Sequence, residues 1–223
     1  MYQTLLFDMD GTLVDSAEGI YRSLRCALEA VGGPELLRSE VRHFLGAPLE
    51  EVLQKRFGCD EGTALRVREH YMAHYRDHGL RATLPVPGMT ELTARLKSAG
   101  FRLAVATCKP WAYCGPTLEL CGFSDCFEAV AGSYHNGVPE EKAAVIREAL
   151  RLLDADAGTA LMIGDRAVDV CGARECGIPC VGVEFCGYAD PGELSRASAA
   201  AVVHTASELE RLLTGDARMT NRL

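Results

Sequence analysis

Two aspartates one residue apart, Asp8 and Asp10, follow an apolar run, Thr4-Leu5-Leu6-Phe7. The run reads as a short buried strand. Side chains alternate along a strand, so Asp8 and Asp10 point the same way if strand geometry holds through Asp10. Gly11-Thr12 then breaks the strand. Both carboxylates therefore stand at a strand's C-terminal end, where open α/β sheets build their sites. Two like charges this close demand a cation, a shared proton or open water. An Asp-x-Asp-Gly stretch is also a common turn, in which Asp caps backbone N–H groups and Gly takes a positive φ. The pair alone leaves both readings open.

The later strands end in polar residues of particular kinds. The run 102–106 leads into Thr107, then Cys108-Lys109-Pro110. The run 159–163 leads into Gly164-Asp165-Arg166-Ala167-Val168-Asp169, and Lys142 opens a helical stretch at 140–153. In a parallel sheet these ends share one edge and can converge. Their types suit phosphoryl transfer. An aspartate can attack phosphorus and split hydrolysis into two displacements. A second aspartate can protonate the leaving oxygen and then deprotonate water. Further carboxylates can hold Mg²⁺, which prefers oxygen ligands. A hydroxyl and an ammonium can bind the remaining phosphoryl oxygens. Asp8, Asp10, Asp165, Asp169, Thr107 and Lys142 fill these roles between them. A metal also answers an electrostatic problem: the chain carries a formal net charge of -8, and an acidic site repels phosphate unless a cation inverts the local field.

The positioning elements follow from the hydrophobic pattern. Residues 17–80 look helical throughout: a helix from Ser16 to about Val31, shorter stretches near 38–45 and 48–57, and a polar helix from Glu61 to Asp77 closed by His78-Gly79. From Met89 onward helix and strand alternate, with strands at 102–106, 127–131, 159–163, 180–183 and about 200–203. This alternation implies a mostly parallel sheet covered on both faces, a Rossmann-like doubly wound α/β fold. The first strand finds no sheet partner until after residue 100. The expected organisation is an α/β core of residues 1–15 plus 84–223 with an inserted α-helical cap at 16–83.

Composition narrows the class of partner. A chain of 223 residues, 48% hydrophobic, suits one core with a small insertion. The acidic balance argues against nucleic acid and anionic membrane as partners. No apolar run approaches the roughly 20 residues that span a bilayer, and the N-terminus has no signal-peptide shape. The ten cysteines contain no C-x-x-C pair. Reduced thiols in a cytoplasmic protein are the expectation. A monomer or a homodimer is equally consistent with the sequence.

The motifs DMDGTLVDS (8–16), VATCKP (105–110), EKAAVIREAL (141–150) and MIGDRAVDVCGARECGIPCVGV (162–183) resemble, in order, those of haloacid-dehalogenase-superfamily phosphatases of the phosphoglycolate-phosphatase-like branch. The resemblance implies a Mg²⁺-dependent phosphatase acting on a small phosphorylated metabolite through an aspartyl-phosphate. It implies Asp8 as nucleophile and metal ligand. Asp10 becomes general acid/base, its carbonyl also on the metal. Thr107 and Lys142 bind phosphate, Asp165 ligates Mg²⁺, and Asp169 does so directly or through water. Residues 17–80 match the family's cap. Dehalogenase members lack an aspartate at position 10, since halide departure needs no proton, so Asp10 favours an oxygen leaving group. The alternatives are a β-phosphoglucomutase-like phosphomutase, a nucleotidase or a pyrophosphatase. A phosphoryl-receiver domain uses similar residues but in a different order. Cys108 stands where the branch carries Ser, and Gly187-Tyr188 lies one residue off the usual spacing.

Other residues keep two readings. Lys109 is a second phosphate contact or a solvated loop lysine. Arg166 approaches substrate or forms a surface ion pair. Trp111 packs a helix start or stacks on a substrate. His70, His74 and His78 line one helix face that is either solvated or metal-binding. Gly46 is a specificity residue of the cap, by resemblance, or a turn between helices.

Overall fold

The computed structural model describes residues 2–45, 49–133 and 141–215. Its centre is β1 (Thr4–Phe7), with all four side chains buried. Leu5 and Phe7 enter the hydrophobic cluster on one sheet face and Leu6 the cluster on the other. Burial on both faces explains why the run is apolar without alternation.

Around it stand β4 (Arg102–Pro110), β5 (Ala129–Ser133), β6 (Ala160–Gly164), β7 (Cys180–Val183) and β8 (Ala201–Val203), in the order β5-β4-β1-β6-β7-β8. Every pairing in this sheet is parallel. β1 pairs with β4 through Phe7–Val105 and with β6 through Phe7–Ile163. The chain passes from β1 to β4 on one side and β6 on the other, so β1's C-terminal end is a topological switch point. Helices α4 (Met89–Ser98), α5 (Trp111–Leu120), α6 (Lys142–Leu153), α7 (Ala167–Glu175), α8 (Glu193–Arg196) and α9 (Ala206–Thr214) complete this part. The parallel α/β sheet read from the alternation is the one observed; α8 is too short to have left a periodic signal.

A third hydrophobic cluster belongs to α1 (Ala17–Ala30), α2 (Leu49–Phe57) and α3 (Glu61–His74). Ile20, Leu24, Leu28, Leu53 and Val67 fill it. Asp60 caps α3 by accepting from Thr63 N–H at 2.8 Å, which satisfies one of the free donors of its first turn. The helix read to Asp77 ends at His74. Residues Tyr75–Gly79 form a π-helical turn and Leu80–Ala82 a 3₁₀ turn. The stretch near 38–45 is a 3₁₀ helix, Arg38–His43. Two short strands, β2 (Val14–Asp15) and β3 (Leu84–Pro85), pair antiparallel where the chain leaves and re-enters the sheet layer. At two residues each they carry no period to read. No helix among the described residues is long and apolar enough to cross a membrane.

Candidate active site

Strand geometry ends at Phe7, one residue before the first aspartate. Asp8 N–H still donates to Ile163 O at 2.9 Å, continuing the β6 ladder. The chain then turns: the Leu13 and Val14 N–H groups both donate to Met9 O, and Met9 is fully buried. Asp8 and Asp10 nonetheless line one cleft. The turn, rather than strand alternation, brings them together, which corrects the geometric premise of the sequence reading.

The cleft encloses about 380 Å³, counting space open to solvent, and is also lined by Thr107, Cys108, Lys109, Lys142, Asp165, Arg166, Val168, Tyr188 and Leu45. Lys142, the first residue of α6, places Nζ 2.7 Å from Asp8 Oδ1 and 2.7 Å from Asp169 Oδ1. Burial opposes its charge, but the Asp169 and Asp8 carboxylates more than offset this and hold the ammonium above the usual lysine range. Asp169, in the first turn of α7, accepts from Arg166 N–H at 2.9 Å. Carboxylate oxygens of Asp8, Asp165 and Asp169 lie within 4.8 Å of one another. Burial, then the charges of Asp169 and Asp8, push Asp165 well above the carboxylate range. Both its oxygens are buried, and no donor among the described residues reaches either.

Formal charge points the same way. Counting the Arg166–Glu193 pair, five carboxylates (Asp8, Asp10, Asp165, Asp169, Glu193) meet three cations (Lys109, Lys142, Arg166) at and beneath this cleft, a formal deficit of two positive charges. Three converging carboxylates, one with unpartnered buried oxygens, fit a hard divalent cation. Gly11 packs beside them at φ +83°, where a Cβ would stand 2.2 Å from Asp165 Oδ2. A side chain there would fill the approach to the carboxylate.

A family profile described as haloacid dehalogenase-like hydrolase matches residues 5–183. The chain belongs to this family. It is a hydrolase of the phosphatase kind, in the phosphoglycolate-phosphatase-like branch. A 5′-nucleotidase of Pseudomonas aeruginosa is 36% identical over 193 residues, 86% of this chain and 87% of that protein. A phosphoglycolate phosphatase of Cupriavidus necator is 33% identical over 219 residues, 94% of this chain and 92% of that one. The crystal structure of a predicted phosphatase from Clostridium acetobutylicum superposes with a TM-score of 0.88 at 34% identity, covering 96% of this chain and 99% of that chain.

In this haloacid dehalogenase-like hydrolase the two-way residues resolve unevenly. Lys109 is buried, not a solvated loop residue. Its Nζ turns to Asp10, at 2.9 and 3.0 Å from the two carboxylate oxygens, and to Tyr75 Oη at 2.9 Å. Arg166 has both the ion pair and a cleft position: Nε meets Glu193 Oε1 at 3.0 Å while Nη1 donates to Leu45 O at 2.7 Å. Trp111 is half-exposed at the start of α5. His74 Nδ1 lies 3.0 Å from Ser23 Oγ, and the histidine face is absent from the metal-capable groups among the described residues. Gly46 lies outside the described residues.

Tyr75 and Tyr188 join the site from outside the four motifs. Tyr188 donates to Asp15 Oδ1 at 2.5 Å, accepts from Ala17 N–H at 3.2 Å and packs into the helical cluster. Burial and Asp15 raise its hydroxyl far above the phenol range. The Gly187-Tyr188 pair was visible in the sequence, but its reach to Asp15 was not.

Proposed function

We propose that this hydrolase is a Mg²⁺-dependent phosphomonoesterase acting on a small phosphorylated metabolite through a phosphoryl group carried on Asp8. The observation behind it is the meeting of Asp8, Asp165 and Asp169 within 4.8 Å, with no donor among the described residues reaching either Asp165 oxygen, at the edge holding Thr107 and Lys142. The reading takes 1–15 plus 84–223 as the core and 16–83 as the cap.

An Asp8 oxygen attacks phosphorus, and the P–O bond to the leaving group breaks. Asp10 gives that oxygen its proton. In the second displacement Asp10 takes a proton from water, the water oxygen bonds to phosphorus, and the bond to Asp8 breaks. The Lys142 ammonium and Thr107 hydroxyl hold non-bridging oxygens and orient them. Asp8, Asp165, Asp169 and the Asp10 carbonyl are the groups that would hold Mg²⁺, whose charge offsets that of the phosphoryl group.

Phosphoglycolate is the first substrate to try, on the strength of the Cupriavidus relative. Nucleoside 5′-monophosphates come second, on the strength of the Pseudomonas one. The test is phosphate release from both, and from p-nitrophenyl phosphate, with Mg²⁺ or excess chelator. The expected result is Mg²⁺-dependent release ranked by kcat/KM. Undiminished release in chelator would overturn the metal assignment. An isomerised sugar phosphate with little free phosphate would replace hydrolysis by phosphomutase chemistry.

A further inference from the structure

The Lys109 ammonium has three N–H donors and three acceptors in reach: Asp10 Oδ1 at 2.9 Å, Asp10 Oδ2 at 3.0 Å and Tyr75 Oη at 2.9 Å. Lys109 comes from β4 in the sheet layer; Tyr75 comes from the helical unit. We infer that Tyr75 is a positioning residue for Asp10, acting through Lys109. This rests on the reading of Asp10 as the proton donor to the leaving group.

Tyr75 is unusually well held for this task. It is 2% exposed. Its ring stacks on Tyr71 with centroids 5.5 Å apart and meets Tyr113 edge-on at 5.5 Å. Its backbone opens the π-helical turn Tyr75–Gly79, a departure from α-geometry that often accompanies functional residues. The turn is pressed against α1, where a Cβ on Gly19 would stand 2.1 Å from Gly79 O. The phenol therefore has little freedom to follow Lys109. Lys109 must follow the phenol, with both oxygens of Asp10 on its other two donors. Removing the hydroxyl frees one donor and lets Nζ, and the carboxyl it holds, move. In the first displacement, the step kcat/KM reads, a misplaced carboxyl matters only when the leaving oxygen needs its proton.

Leaving-group dependence separates this role from a packing role. An alkyl phosphate has a poor leaving group that needs protonation; p-nitrophenyl phosphate has a good one. The value of kcat/KM reports the steps through leaving-group departure, so later release of phosphate from Asp8 does not enter. The experiment compares kcat/KM for phosphoglycolate, or the best alkyl phosphate found, and p-nitrophenyl phosphate in the wild type, Tyr75→Phe, Asp10→Asn and Tyr113→Phe. The alkyl-to-aryl ratio falls steeply in Asp10→Asn, by about tenfold in Tyr75→Phe, and not at all in Tyr113→Phe. If Asp10→Asn shows the effect and Tyr75→Phe lowers both substrates equally, the positioning role is wrong and the proton-donor reading stands. If Asp10→Asn leaves the ratio unchanged, both fall. Lys109→Gln, which cannot hold both Asp10 oxygens and Tyr75 together, supplies the same comparison if Tyr75→Phe folds poorly. An unchanged ratio in Lys109→Gln would overturn the inference by itself.

Discussion

Lys142 Nζ and Asp169 Oδ1 stand 2.7 Å apart, the side chains 4% and 0% exposed. Neither charge can return to water without opening the fold. Breaking such a pair by removing one partner leaves the other as an uncompensated buried charge, which commonly costs several kcal/mol. The pair therefore ties the start of α6 to the first turn of α7, and it does so at the site rather than beneath it.

Lys142→Met takes away the cation that serves both Asp169 and Asp8. Chelator-treated Lys142→Met is expected to lose about 3–5 kcal/mol of stability, measured by urea unfolding against the wild type. A loss within experimental error would show that the two aspartates do not depend on Lys142 for their charge balance.

Gly11→Ala strains a position at φ +83° and drives a methyl group into Asp165. The backbone term alone is worth about 1–3 kcal/mol. The larger expected consequence is local: the Mg²⁺ concentration giving half-maximal activity rises at least about tenfold, the equivalent of about 1.4 kcal/mol in metal affinity. Titrating phosphate release with Mg²⁺ checks this, and an unchanged midpoint would argue that Asp165 does not ligate.

Glu193 gives a pH-dependent contribution. Burial alone would raise its pKa, but the Ala167 and Asp190 N–H groups and Arg166 reverse this and hold it below its ordinary 4.5. A depressed folded value means stability that is fully present above the unfolded pKa and lost as pH falls through the folded one. Glu193→Gln should be less stable than the wild type near neutral pH, with the gap closing below about pH 4.5. Thermal unfolding of both proteins across that range measures it. A gap that stays constant with pH would assign the effect to shape rather than charge.

Asp8, Asp10, Thr107, Lys142, Asp165 and Asp169 could be placed near one another from the sequence because each was read at the end of a strand or the start of a helix in a parallel α/β fold; Thr107 in fact lies inside β4, which runs on to Pro110. Strand ends share an edge whatever the loops do, so errors in strand bounds, the largest being four residues at the end of β4, did little harm. The premise that strand alternation aims Asp8 and Asp10 together failed, since the chain turns after Phe7. Their convergence survived because the turn returns Asp10 to the same cleft. The contacts of Tyr75 and Tyr188 were not legible. Their hydroxyls meet Lys109 and Asp15 across sequence separations of 34 and 173 residues, and no local period encodes such contacts. The π-helical turn that presents Tyr75 also looks, in sequence, like the continuation of α3.

The most direct test of the phosphoryl-transfer account is trapping the group on Asp8. Wild-type enzyme and Asp8→Asn are mixed with phosphate-labelled substrate and Mg²⁺, quenched in acid within one turnover, and the peptides are mapped. The account predicts label on the peptide carrying Asp8, stable in acid, released by hydroxylamine, formed and lost as fast as phosphate appears, and absent from Asp8→Asn. Full phosphate release by verified Asp8→Asn protein, or rapid turnover with no labelled peptide in the wild type, would contradict it.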